Sequence, residues 1–200
     1  MVNYRIKAPL SEKLVRKLLV GDNVTIDGVI CVFRDRAFDY AKEVLGKGGK
    51  LPVDLHGAIH WHCGPITKKV AGKWVVSVAG PTTSRRFDKE EPRAIREWGV
   101  RLVIGKGGLG QEASQAMNEC GAAYASAVGG AASHYAEQIK DVIGVYWLEL
   151  GMPEAMWLFK VKGFGPLQVT MDSYGNNLYE DVRKKAYDNL TQIKRKIDTS

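Results

Sequence analysis

The chain has 200 residues, 45% of them hydrophobic and 26% charged, so it is long enough to bury a core of its own and too apolar for a disordered, solvating chain. A formal net charge of +7 invites a polyanionic partner. The basic residues are dispersed, however, and the densest run, IKRKIDTS, reads as the solvated face of a terminal helix, so the charge suits a small anionic substrate or an acidic partner subunit and no nucleic acid is expected.

In chain order, SEKLVRKLLVGD predicts a short amphipathic helix capped by Ser11 and ended by Gly21. NVTIDGVICVFR is rich in β-branched residues and reads as a strand with a turn or bulge at Gly28. DRAFDYAKEVLGKGGK follows as a helix begun by Asp35 and stopped by Gly46, Gly48 and Gly49. GAIHWHC and KWVVSVAG are strand candidates, with GPITKKVAG between them as a loop. KEEPRAIREWG reads as helix, VRLVIG as a short buried strand, QEASQAMNECG as helix, AAYASAV as strand and GGAASHYAEQI as helix. VIGVYWLEL and AMWLFKVKGFGPLQVTMDS supply further strands, and YEDVRKKAYDNLTQIKRKI a last helix. Strands and helices interleave throughout, without repeats or linkers, which predicts a single α/β domain.

Cys31, Cys63 and Cys120 are odd in number and far apart, which excludes a disulfide framework. MVNYRIKAPL has no apolar signal-peptide core, and no apolar run approaches the ~18 residues of a membrane helix, so a soluble cytoplasmic protein is expected.

Two glycine-containing stretches carry most of the chemistry. AGPTTSRRFD, residues 79–88, leaves a strand through Gly-Pro and crowds hydroxyls and guanidinium groups into a turn that needs neither. VRLVIGKGGLG, residues 100–110, runs from strand through GKGG to helix, the build of an anion loop with Lys106 at its mouth. It lacks the hydroxyl of GxxxxGK[ST] and is not a GxGxxG in a first βαβ unit with a following acidic residue, so no nucleotide is expected. With Arg34 after VICVF, three strand ends carry cations beside tight turns: Arg34, Arg85 with Arg86, and Lys106. Ligands of open α/β sheets sit beyond strand ends, and guanidiniums clamp carboxylates, so the set suits a small dicarboxylate and by itself predicts an anion-binding α/β domain with no reaction specified.

HWHC, residues 60–63, looks like a metal site, but strand alternation puts His60 and His62 on one face and Trp61 and Cys63 on the other. The expectation is partly buried histidines or a pocket edge, not a metal centre. Asp35 reads as a helix cap, and nothing pairs it with Asp172. No serine sits in GxSxG.

GPTTSRR, GKGG, LGMPEAMW and FGPLQVTMDSYGN, in that order, resemble the β subunit of the class I, iron–sulfur-dependent fumarate hydratase and L(+)-tartrate dehydratase family. The resemblance implies a swivelling β/β/α fold over residues 1–178; the segment after it is peculiar to this chain and reads as a basic C-terminal helix over 179–200. It implies an α partner subunit that holds a [4Fe–4S] cluster, none of which is bound by this chain, and an α2β2 or β–β assembly. It implies substrate binding by Arg34, Thr83, Arg86 and Lys106, with Thr82, Arg86 and Lys106 as the catalytic set and Thr82 near the proton transferred at the substrate carbon. The implied reaction is reversible hydration of fumarate to (S)-malate. Dehydration of L(+)-tartrate to oxaloacetate is the alternative, and a non-catalytic anion-binding or assembly subunit the alternative of another class. Two positions depart from the family pattern: Phe38 stands in RDRAF where a histidine is usual, and Phe87 stands where methionine is usual.

Overall fold

The computed structural model describes residues 1–198, with side chains described through Lys194. β2 (Asn23–Val32) organises the sheet. Along one edge it pairs in parallel with β1 (Asn3–Lys7) and then with β3 (Ile59–Trp61), and along the other it pairs antiparallel with β9 (Met156–Met171). β3 continues in parallel to β6 (Leu102–Gly105) and β6 to β7 (Ala123–Ser126), which meets β9 antiparallel. The pairing thus returns to β2 and closes the sheet on itself, with β1 and β8 (Ile139–Tyr146) as additional strands.

Alternation along these strands makes two apolar clusters. Ile30, Val32, Trp61, Ile104, Ala125, Trp157 and Phe159 belong to one face. Cys31, Phe33, Val103 and Tyr124 belong to the other, beneath α2 (Asp35–Gly46), α3 (Glu91–Glu97) and α4 (Gln111–Cys120). Each fully buried Trp or Phe contributes roughly 2–3 kcal/mol by leaving water, so both faces are held firmly. The arrangement is a single mixed α/β domain.

Several segments differ from the sequence reading. NYRIK, not anticipated, is β1, with Ile6 its one buried residue. The expected helix over 11–21 shrinks to α1 (Glu12–Val15), capped by Ser11, whose Oγ accepts the Leu14 N–H at 3.3 Å. The expected loop GPITKKVAG contains β4 (Ile66–Val70), which forms a hairpin with β5 (Lys73–Val78). Its turn, Ala71–Gly72, has positive φ at both residues (48° and 80°), the geometry that matches strand twist in a two-residue hairpin. α5 (Ala132–Gln138) leads directly into β8, which ends at Tyr146, so WLEL is a 3-10 turn and not strand. α6 (Leu178–Asp198) is the last described element; the Tyr179 ring lies over Gly108 and its hydroxyl bonds Ser126.

Candidate functional site

The parallel strands β2, β3 and β6 end side by side, and the GPTTS segment is laid between the last two. Thr82 N–H donates to the His62 carbonyl at 2.7 Å, Ser84 N–H to the Lys106 carbonyl at 2.9 Å, and Lys106 N–H back to the Thr82 carbonyl at 3.3 Å. Isolated bridges at Cys63–Pro81 and Thr83–Lys106 extend this pinning. Thr83 and Lys106 are exposed and Thr82 is half-buried, so the segment offers hydroxyls and an ammonium from a rigid rim. The Lys106 side chain runs past Gly129, in the loop that follows β7.

Arg34 and Arg86 meet at Asp35. Arg86 Nη2 donates to Asp35 Oδ1 at 2.8 Å, and Arg34 Nε lies 3.4 Å from Asp35 Oδ2. The other end of Arg34 is held by Glu154, Nη2 to Oε1 at 2.5 Å. A Cβ at Gly64 would stand 2.6 Å from Arg34 Nη1, so the guanidinium lies across the end of β3. Asp35 is the first residue of α2 and makes no side-chain cap; Glu154 instead accepts the Arg36 N–H at 3.1 Å. The capping role expected for Asp35 is therefore corrected: its carboxylate organises two guanidiniums. Arg85 turns away, to Asp88 at 3.1 Å and Glu180 at 3.3 Å.

Beneath the rim lies a chain of buried polar groups. His60 Nε2 is 3.1 Å from the Phe33 carbonyl and Nδ1 2.9 Å from Glu91 Oε2. His62 Nε2 is 2.9 Å from the same Glu91 oxygen, and its Nδ1 is 2.9 Å from Ser84 Oγ, which in turn is 2.8 Å from Tyr124 Oη. His60, His62, Ser84, Glu91 and Tyr124 are all 0% exposed. Burial alone would raise the Glu91 pKa, but the charge and hydrogen bond of His60 and the hydrogen bond of His62 outweigh it and pull the carboxyl down to about 2. Burial lowers the His62 pKa and keeps that ring neutral, and burial pushes the Tyr124 phenol up. His60, His62 and Glu91 form the one grouping of metal-ligand spacing among the described residues. All four ring nitrogens are engaged in hydrogen bonds, so none is left to ligate.

Residues 1–182 match the family model described as Fumarase C-terminus. The chain belongs to this family, on the β-subunit side of the class I fumarate hydratases and L(+)-tartrate dehydratases. It is 45% identical over 96% of its length to a provisionally named class I fumarate hydratase of Geobacillus stearothermophilus. It is 44% identical over 92% to a provisionally named L(+)-tartrate dehydratase β subunit of Methanocaldococcus jannaschii, and 35% identical over 90% to the Escherichia coli L(+)-tartrate dehydratase β subunit. It spans 36% of the Geobacillus protein, but 95% and 88% of the other two.

Where many fumarase C-terminus members are expected to carry histidine, Phe38 is buried at 3% exposure and packs on Phe33, His60, Phe87 and Trp98 at ring-centroid distances of 4.9, 5.4, 5.6 and 5.9 Å. His60 and His62 cannot take over a proton at the rim, because both are sealed beneath it. Phe87 packs over His62 at 4.3 Å, an apolar service that methionine also performs. Asp172 accepts the Val20, Tyr174 and Asn176 amides and serves the turn after β9, away from Asp35. The three cysteines do not fit an iron–sulfur cluster: Cys31 and Cys63 lie on opposite faces of the sheet, with burial raising both thiols, and Cys120 ends α4. Among the described residues no cysteine joins a metal-ligand grouping.

Glu91, Ser84 and Tyr124 were not picked out from sequence. The one signal for them was a pair of histidines on one face of an apolar strand, which demands a buried counter-charge from elsewhere.

Proposed function

We propose that this chain is the β subunit of a class I hydro-lyase that hydrates fumarate to (S)-malate. The observation that carries the reading is the GPTTS segment locked by backbone bonds against Lys106, beside the Arg34–Asp35–Arg86 cluster. Arg34, Arg86 and Lys106 bind the two substrate carboxylates, with Thr83 as a hydroxyl donor on the same rim. Thr82, aided by the neighbouring cations, holds the proton exchanged at the substrate carbon; an unaided hydroxyl is too weak a base. The [4Fe–4S] cluster belongs to an α partner, where it supplies Lewis-acid chemistry. No residue of this chain holds it.

The swivelling β/β/α description fits a sheet that closes on itself beside packed helices, with residues 1–178 as the catalytic domain; of the basic helix expected over 179–200, residues 199–200 lie outside the described residues. An α2β2 assembly in the cytoplasm completes the picture; no described helix is long and apolar enough to cross a membrane. Tartrate dehydration is the second reading, favoured by the names of the Methanocaldococcus and Escherichia relatives, which this chain spans almost entirely. The test is anaerobic reconstitution with a cluster-bearing α subunit, following fumarate and tartrate separately. A complex with an intact cluster that turns over neither substrate overturns the proposal, and turnover of tartrate alone selects the second reading.

A further inference from the structure

The buried chain has a direction, fixed by which groups can only accept. The Phe33 carbonyl accepts, so His60 Nε2 carries a proton. An ionised Glu91 accepts from both rings, so His60 Nδ1 and His62 Nε2 carry protons as well. His62 Nδ1 is then the acceptor for the Ser84 hydroxyl, and Ser84 Oγ the acceptor for the Tyr124 hydroxyl. Every member is then satisfied, with both ring nitrogens of His60 and only Nε2 of His62 acting as donors. Phe33 stacks on His60 at 3.7 Å, and Phe38 and Phe87 close the other sides, so the cluster sits in an apolar, weakly screening pocket.

Ser84 is where this chain reaches the rim. It is the buried member of the polar TTSRR run, with Thr82 two residues before it and Arg86 two after. A Cβ at Gly105 would collide with Ser84 Oγ and come within 3.2 Å of His62 Nδ1, so glycine there is what admits the serine. We propose that His60, Glu91, His62, Ser84 and Tyr124 are positioning residues that act as one directional hydrogen-bonded unit to hold the Thr82–Arg86 segment in register with Lys106. The role of that segment toward a dicarboxylate rests on the hydro-lyase reading; the hydrogen-bond direction does not.

The test is nitrogen-15 histidine spectroscopy on the full chain at pH 7, together with Ser84→Ala and the milder Tyr124→Phe. The expected spectrum has both His60 nitrogens protonated, and His62 protonated at Nε2 alone. Ser84→Ala shifts the His62 Nδ1 resonance and the backbone amides of Thr82, Thr83 and Lys106, and weakens binding of malate, used as the probe, by about tenfold; Tyr124→Phe does the same by about threefold. A singly protonated His60 overturns the proposal, even if neither variant folds. So do folded variants that leave those three amides and the malate affinity unchanged. If wild-type chain binds no malate, the amide shifts still decide the proposal and the failure falls on the hydro-lyase reading.

Discussion

Asp35 holds Arg86 across 51 residues of sequence, Oδ1 to Nη2 at 2.8 Å, while its second oxygen faces Arg34. A carboxylate between two guanidiniums is where a substrate carboxylate is expected to bind, so Asp35 both orients the cations and competes for them. Asp35→Asn keeps the shape and removes the charge. Because Arg86 is half exposed, the change in stability is expected to stay under ~1 kcal/mol. The apparent affinity for the dicarboxylate is expected to change several-fold while kcat holds, which steady-state kinetics of the assembled enzyme measures.

Thr82 is fixed through its backbone, its amide donating to the His62 carbonyl at 2.7 Å. Thr82→Val preserves volume and that backbone bond. We expect kcat to fall about 10²–10⁴-fold, the usual worth of a placed acid or base, with thermal unfolding shifted by only a few degrees. Unchanged kcat would remove Thr82 from proton transfer.

The buried ionic cluster gives stability an acid limit. Burial depresses the His62 pKa, so its contribution is whole above ~6.5 and shrinks as pH falls below that, because the unfolded ring takes the proton first. Glu91 is depressed to about 2; its contribution is present above the ordinary ~4.3 and is lost between there and about 2. Glu91→Gln is expected to cost ~3–5 kcal/mol at pH 7 by leaving His60 without its counter-charge. It is also expected to flatten the loss below pH ~4.3, a comparison read from urea unfolding at pH 7 and pH 3.

Gly105 and Gly46 separate close approach from mere helix propensity. Gly105→Ala drives a methyl into Ser84 Oγ, within 3.0 Å of the Tyr124 hydroxyl, and is expected to destabilise by ~1–3 kcal/mol or more. Gly46, the last residue of α2, has open space around it and no positive φ, so Gly46→Ala is expected to stabilise by ~0.5–1 kcal/mol. Calorimetry on the pair checks both signs.

Much of this molecule was legible as sequence where one signal dominated. VICVF and VRLVIG are apolar runs that end in a cation, and they became the strand ends that carry Arg34 and Lys106. NYRIK was missed because a strand exposed on most positions shows little apolar pattern. GPITKKVAG was read as a loop because it carries Gly-Pro and Gly, although pairing with β5 makes Ile66–Val70 strand. AMWLFKVKGFGPLQVTM was recognised as strand material in spite of three glycine or proline residues, yet nothing local says that it pairs on both edges and closes the sheet. The cation set depends on local strand–turn chemistry and could be found. Glu91 could not, because in KEEPRAIREWG it is indistinguishable from a solvated acid in the first turn of a helix; only the packing of α3 against β3 makes it the counter-charge of two histidines.

We propose that this rim is one half of a hydro-lyase active site, and Arg86→Ala in the reconstituted complex tests that most directly. Wild-type chain with its cluster-loaded α subunit is expected to consume fumarate, followed by its ultraviolet absorbance. The variant is expected to assemble equally well and to turn over at least ~100-fold more slowly, the loss of about 3 kcal/mol of charge-assisted binding. A variant complex as active as wild type would contradict the account.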